Sequence, residues 1–98
     1  NTRFKLAEVK TEAVVCRTFV DRCMDLHLKR ELDTNLAAIA KMYVADLTCK
    51  VLDELLQLHG GYGYMWEFPI ARAWADNRMG RIAGGTSEIM KEIIGRTL

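Results

Sequence analysis

The chain has almost no proline and, over most of its length, no glycine. The single proline is Pro69, and neither residue occurs between positions 1 and 59. Nothing in that stretch breaks a helix. There is no excess of either charge: 14 Lys and Arg against 13 Asp and Glu give +1. Such a balance argues against a dedicated nucleic-acid binder, which carries a basic stripe. No apolar run approaches the ~20 residues of a membrane helix, and no secretory leader is visible. Three cysteines cannot all pair within one chain. Cys16 and Cys23 are seven apart, roughly 10 Å along a helix, too far for a disulfide within it. Reduced, buried thiols are the favoured reading. Cys23 and His27 have the i,i+4 spacing of two metal ligands, but no further ligand pair accompanies them, so packing is preferred. Ser/His/Asp and Cys/His nucleophile arrangements are also missing.

What is present is helix. At 98 residues the chain is one domain or less and can bury one modest core. Leu6, Val9, Ala13, Cys16, Val20, Cys23 and His27 step by three and four, the pattern of one face of a long helix. Asp33 offers an N-cap for the next helix. Leu36, Ile39, Tyr43, Leu47, Val51, Leu55 and Leu58 form a second seam, and Gly60 and Gly61 stop it. Two long helices joined near Asp33 predict an antiparallel hairpin. Residues 62–68 read as an aromatic loop with Tyr62, Tyr64, Trp66 and Phe68. Pro69 suits the first turn of a short helix to about Arg78, closed by Gly80. Thr86 or Ser87 caps a last helix to about Arg96. The sequence contains no credible strand.

Two glycine-rich breaks sit at helix boundaries. Gly60, Gly61 and Gly63 leave backbone open to a flat or phosphorylated ligand, with the Gln57 amide and the His59 ring beside them. In the second break, Gly84-Gly85-Thr86-Ser87-Glu88, a helix start presents unpaired N–H groups. A plain helix C-cap and a plain capped helix start account for both from physics alone. Glu88 and Glu92 read as a solvated face with Lys91, Trp66 and Trp74 as core or interface anchors, and Asp76 and Arg78 as salt-bridge partners.

The wording around these breaks adds more. Gln57 to Gly63, then Trp66-Glu67-Phe68-Pro69-Ile70-Ala71-Arg72, Asp76-Asn77-Arg78, Ile82 and Gly85-Thr86-Ser87-Glu88-Ile89 resemble the C-terminal helical domain of the acyl-CoA dehydrogenases, most of all their long-chain branch. Either glycine motif alone is weak; their order and spacing across nearly the whole chain carry the resemblance. It implies an all-α, up-and-down four-helix-bundle-type domain, here without its first helix. The start at Asn1 rather than Met fits a piece of a longer protein.

The resemblance further implies FAD as cofactor. Gln57, Leu58, His59, Gly60 and Gly61 would contact the adenine and pyrophosphate end of the FAD of a neighbouring subunit. Thr86, Ser87 and Glu88 would contact FAD, and Gly84 and Gly85 would line the substrate site. Many relatives carry the α-proton base, a Glu, immediately before the Gly-Thr pair. Here that position is Gly84, which cannot take a proton. The long-chain and isovaleryl branches place the base on an earlier helix, so no catalytic residue is expected in this chain and the base is expected upstream of Asn1. An Arg and a Gln that touch the partner's FAD would also precede it. The implied activity is α,β-dehydrogenation of an acyl-CoA thioester, with electrons passing to electron-transfer flavoprotein, in a dimer of dimers. The implied compartment is the bacterial cytoplasm or the mitochondrial matrix. The competing readings are a non-catalytic helical oligomerisation module and, less favoured, a relative of the acyl-CoA oxidases.

Overall fold

A computed structural model describes all of residues 1–98. It contains α1 (Thr2–Leu28), α2 (Thr34–Leu58), a 3₁₀ turn (Gly60–Tyr64), α3 (Pro69–Asn77), a second 3₁₀ turn (Arg78–Arg81) and α4 (Ser87–Gly95), with no strand. The all-α expectation holds, with two long helices and two short ones.

The ends of these elements follow from local chemistry. α1 stops without a glycine. Arg30 takes φ 59°, Glu31 N–H donates to Leu26 O at 2.8 Å and Arg30 N–H to His27 O at 3.0 Å. This is the paired-bond C-terminal motif that glycine usually closes. Asp33 caps α2 as expected, its carboxylate accepting from Leu36 N–H at 2.7 Å. Gly60, at φ 58°, ends α2. Pro69 opens α3, and Thr86, not Ser87, caps α4, accepting from Ile89 N–H at 3.1 Å. Two boundaries differ from the sequence reading. The predicted aromatic loop begins as a 3₁₀ turn, and α3 tightens into a second one at Arg78.

α2 is the central rod. α1, α3, α4 and both 3₁₀ turns pack on it. Cross-helix pairs fix the directions. Lys5 meets Glu54, Glu12 meets Lys50, and Phe19 meets Tyr43 edge-on at 6.3 Å. Residue numbers rise on one helix as they fall on the other, so α1 and α2 form the predicted antiparallel hairpin. Likewise the Trp74 indole N–H donates to Asp53 at 3.2 Å and the Cys49 thiol to Asn77 O at 3.4 Å, so α3 runs antiparallel along the C-terminal half of α2. Ser87 donates to Asp46 at 2.9 Å and Thr97 lies 3.5 Å from Asn35, so α4 continues antiparallel along the N-terminal half. α3 and α4 together make one broken third rod, and the Gly84-Gly85 turn is its break.

The core is thin. Cys23, Ala38 and Ala71 are its buried apolar residues. The seam of α1 is rotated from the predicted one. Leu6, Ala13 and His27 are exposed, whereas Lys5, Glu12, Phe19 and Leu26 join Val9, Cys16, Val20 and Cys23 against α2. The rotated face makes ion pairs at the end nearest Asn1, Lys5–Glu54 (2.5 Å) and Lys50–Glu12 (2.8 Å), and the Phe19–Tyr43 contact farther along. Of the three free thiols, Cys23 alone is buried. Trp66 and Trp74 are exposed, so neither is a core anchor of this chain.

These ion pairs set a pH window. The hydrogen bond and charge of Lys5 hold Glu54 below its ordinary 4.5. Hydrogen bonds and charge from Glu54 and Glu12 hold Lys5 and Lys50 above 10.5. The contribution of Glu54 is complete above 4.5 and is lost as pH falls through its lower folded value; that of the lysines is complete below 10.5 and is lost as pH rises through their higher values. Both pairs face solvent and are screened by salt. The expected result is a small thermal-stability gap between wild type and Glu54→Gln at neutral pH and low salt, which narrows as pH falls below 4.5. A gap that stays constant from neutral pH down through the acid range would show that the Glu54 charge is not its source.

Candidate functional site

The two glycine turns occupy different levels of α2. The first follows its C-terminus. The second is tied to its middle, where the Lys41 ammonium donates to Gly80 O at 2.7 Å and to Gly85 O. From Lys41 to Leu58 is 17 residues, about 25 Å of helix. The structure therefore does not gather the predicted site residues into one pocket; it makes two separate edges.

At the first edge Gln57, His59, Gly60 and Gly61 are exposed and Leu58 is half-buried in the bundle. His59 Nδ1 lies 2.8 Å from Leu55 O, which turns the ring back along α2. A Cβ placed on Gly60 or Gly61 meets nothing within 4 Å, so the backbone there is open. His59, Gly61, Tyr62 and Met65 line a shallow hollow of about 330 Å³, with Tyr62 stacked on Phe68 at 4.8 Å. Gly63 departs from the expectation. It is buried, and a Cβ on it falls 2.6 Å from Leu56 O. It is a close-packing glycine that lets the 3₁₀ turn fold back onto α2, not part of an open edge.

At the second edge Gly84 and Gly85 adopt φ of 67° and 99°. Gly84 is exposed, with open space where a Cβ would point. An L residue there costs about 1–2 kcal/mol in backbone strain. The Thr86 side chain is engaged with Ile89 N–H. The Ser87 hydroxyl is 1% exposed and donates to Asp46, so its side chain faces the bundle. Because the first N–H groups of a helix lack intrahelical partners, the amides of Ser87 and Glu88 remain as donors. Glu88 is exposed in the first turn of α4, where an ionised carboxylate suits the helix dipole.

Several residues around this edge were not legible as functional. Lys41 and Asp46 lie on α2, far in sequence from the turn, and no local pattern marks them. Arg81, rather than Arg78, makes the ion pair, with Nε 2.9 Å from Asp46 Oδ1. That N–H is buried and not aimed at the oxygen, so the contact is Coulombic without a hydrogen bond. Asp76 makes no ion pair, and Glu92 pairs with Arg96 at 3.1 Å rather than with Lys91.

A profile of the acyl-CoA dehydrogenase C-terminal domain matches residues 1–98. The chain belongs to the acyl-CoA dehydrogenase family. It is 52% identical, over 96% of its length, to the mitochondrial long-chain specific acyl-CoA dehydrogenase of Mus musculus, of which it covers 22%. An acyl-CoA dehydrogenase of Bacillus subtilis is 36% identical over 97% of the chain and is covered to 25%. The crystal structure of an acyl-CoA dehydrogenase from Geobacillus kaustophilus superposes with a TM-score of 0.93 at 42% identity, over 97% of this chain and 25% of that one. The chain thus spans about a quarter of the length of these family members.

Proposed function

We propose that this chain is the C-terminal domain of a flavin-dependent acyl-CoA dehydrogenase that converts acyl-CoA thioesters to trans-2-enoyl-CoA in fatty-acid β-oxidation. Long-chain thioesters, named in the Mus musculus relative, are the first substrates to test. The observation that carries this reading is open backbone at both turns, where a Cβ on Gly60 or Gly61 at the first, or on Gly84 at the second, would project into empty space. Bare backbone beside an exposed amide and imidazole suits a pyrophosphate and an adenine.

In this reading Gln57, Leu58, His59, Gly60 and Gly61 hold the adenine and pyrophosphate end of the FAD of a neighbouring subunit. Thr86, Ser87 and Glu88 hold the flavin of the chain's own subunit, Ser87 and Glu88 through their backbone amides. Gly84 and Gly85 line the acyl thioester. The separation of about 25 Å along α2 supports two distinct contacts. FAD, when bound, supplies hydride acceptance. The chain's part is to bind, orient and exclude water; it offers no base at Gly84, and the base belongs to a part of the enzyme outside these residues. Electrons leave to electron-transfer flavoprotein, and the domain serves subunit assembly in a dimer of dimers. The compartment is the mitochondrial matrix or the bacterial cytoplasm; no helix here is long and apolar enough to cross a membrane.

Gly61→Val tests the first edge. Gly61 is not at positive φ, so the valine adds bulk to open space with little backbone strain. In the full-length protein the expected outcome is a normally folded variant that loses most of its FAD on gel filtration, read from the visible flavin band. Gly60→Val should do the same with about 1–2 kcal/mol of added strain, because its φ is positive. Full flavin occupancy in folded Gly61→Val would remove the first edge from the cofactor site. A full-length wild-type protein without a flavin band that acyl-CoA bleaches would overturn the proposed activity.

A further inference from the structure

In segment 80–87 the Ile82 and Ala83 amides donate to Met79 O at 2.9 and 2.8 Å, Ser87 is buried and Arg81, Gly85 and Thr86 are half-buried. Ile82, Ala83 and Gly84 are exposed, and the two positive-φ glycines, Gly84 and Gly85, put a bend in it. Two side chains of α2 hold it. The Lys41 ammonium bridges the carbonyls of Gly80 and Gly85, tying both ends of the bend to one point. Asp46, five residues on, accepts from the buried Ser87 hydroxyl at 2.9 Å and lies 2.9 Å from Arg81 Nε. Residues 80, 81, 85 and 87 are thereby anchored to α2, while 82–84 are left facing outward. A charged donor on a carbonyl is among the stronger hydrogen bonds, and the two Lys41 tethers fix the turn to α2 on both sides of its glycines.

We propose that Lys41 and Asp46 are positioning residues that set the Gly84-Gly85-Thr86 backbone in the orientation it presents to flavin and thioester. The inference rests on the reading of this turn as a cofactor and substrate edge. Neither side chain need touch either ligand. Each acts through the turn, Lys41 through carbonyls on both sides of the two glycines and Asp46 through Ser87 and Arg81. A misplacement of the turn by about 1 Å changes rate far more than affinity, because reactive alignment is steeper in distance than binding is.

The test uses the full-length flavoprotein in the numbering of this chain. Lys41→Met keeps the stem and removes the ammonium. The expected result is flavin bleaching by acyl-CoA in a single turnover slowed on the order of 10–100-fold, with KM changed less than about threefold. The visible flavin band should shift, and amide exchange over residues 80–89 of the cofactor-free protein should quicken. Lys41→Arg, which retains the charge and donors, should restore much of the exchange protection and part of the rate. Asp46→Asn keeps an acceptor for Ser87 while removing the charge beside Arg81. It should slow bleaching less than Lys41→Met does, and it decides the matter should Lys41→Met fail to fold. A wild-type rate per bound flavin and an unshifted band in folded Lys41→Met, or in Asp46→Asn, overturn the proposal, even where thermal stability falls. A wild-type protein without flavin overturns this proposal together with the proposed function, whereas flavin present with unaffected Lys41 and Asp46 variants overturns this one alone.

Discussion

Gly63→Ala is expected to destabilise the domain by about 2–3 kcal/mol, the upper part of the range for overpacking a well-packed site. For a domain of this size that lowers the melting temperature by roughly 10–20 °C. The added Cβ would sit 2.6 Å from Leu56 O and 3.0 Å from Leu56 Cγ. The first of these atoms is backbone in the last turns of α2 and cannot swing aside as a side-chain end can. Relief requires the 3₁₀ turn to lift from α2, which also displaces the exposed Gly60-Gly61 edge. The internal control is Gly61→Ala, two residues earlier, where the Cβ meets nothing within 4 Å; it should be neutral or slightly stabilising through the unfolded chain. Thermal unfolding by circular dichroism separates the two. Equal midpoints for both variants would mean that the turn does not pack on Leu56 as described.

Gly63 also shows where sequence reading reaches its limit. Three glycines within four residues look alike in a string, yet one ends a helix at positive φ, one is open, and one is buried against a carbonyl. Only the path of the chain distinguishes them. Elements governed by local chemistry were legible: Asp33 as a cap and a cap at Thr86 or Ser87, Gly60 as a helix stop, Pro69 as a helix start, and two long periodic stretches as an antiparallel pair. The end of α1 was less so, because Arg30 stands where glycine is the usual signal. The rotation of the α1 seam was hidden for a different reason. Apolar spacing alone counts Leu6 and Ala13 as inward, whereas the face toward α2 carries Lys5 and Glu12, which pair with Glu54 and Lys50, followed by Phe19 and Leu26. The candidate edges were found through family resemblance, and the physics of the bare sequence favoured plain caps. Lys41 and Asp46 were invisible, since a lone lysine and a lone aspartate on a long helix carry no local sign of the turn they hold some 40 residues away.

The 98-residue chain by itself is expected to self-associate at micromolar concentration. Its hairpin leaves much apolar surface in water. Phe4 is 71% and Leu28 76% exposed, and Val14, Val15 and Met24 are more than half exposed. Between α1 and α2 runs a groove of about 460 Å³ with Ala13, Cys16, Val20, Leu47, Val51 and Leu52 along it. Burying about 400 Å² of such surface contributes roughly 10 kcal/mol at 25 cal/mol per Å², which competes with the 4–15 kcal/mol or so that association costs in lost freedom. The balance favours a dimer if a second copy lays a helix along this groove. Exchange of α1 between copies is one route, because it reuses contacts already made on α2 and needs no new interface chemistry. Sedimentation equilibrium decides the state. A charge placed on the open groove at an exposed position, Ala13→Glu, should shift the chain back toward monomer, while Val14→Glu, outside the groove, should do so only if the outer face of α1 is the one that is covered. A wild-type chain that stays monomeric and well folded through the micromolar range would show that the thin core around Cys23, Ala38 and Ala71 is sufficient, and that the exposed face of α1 needs no cover.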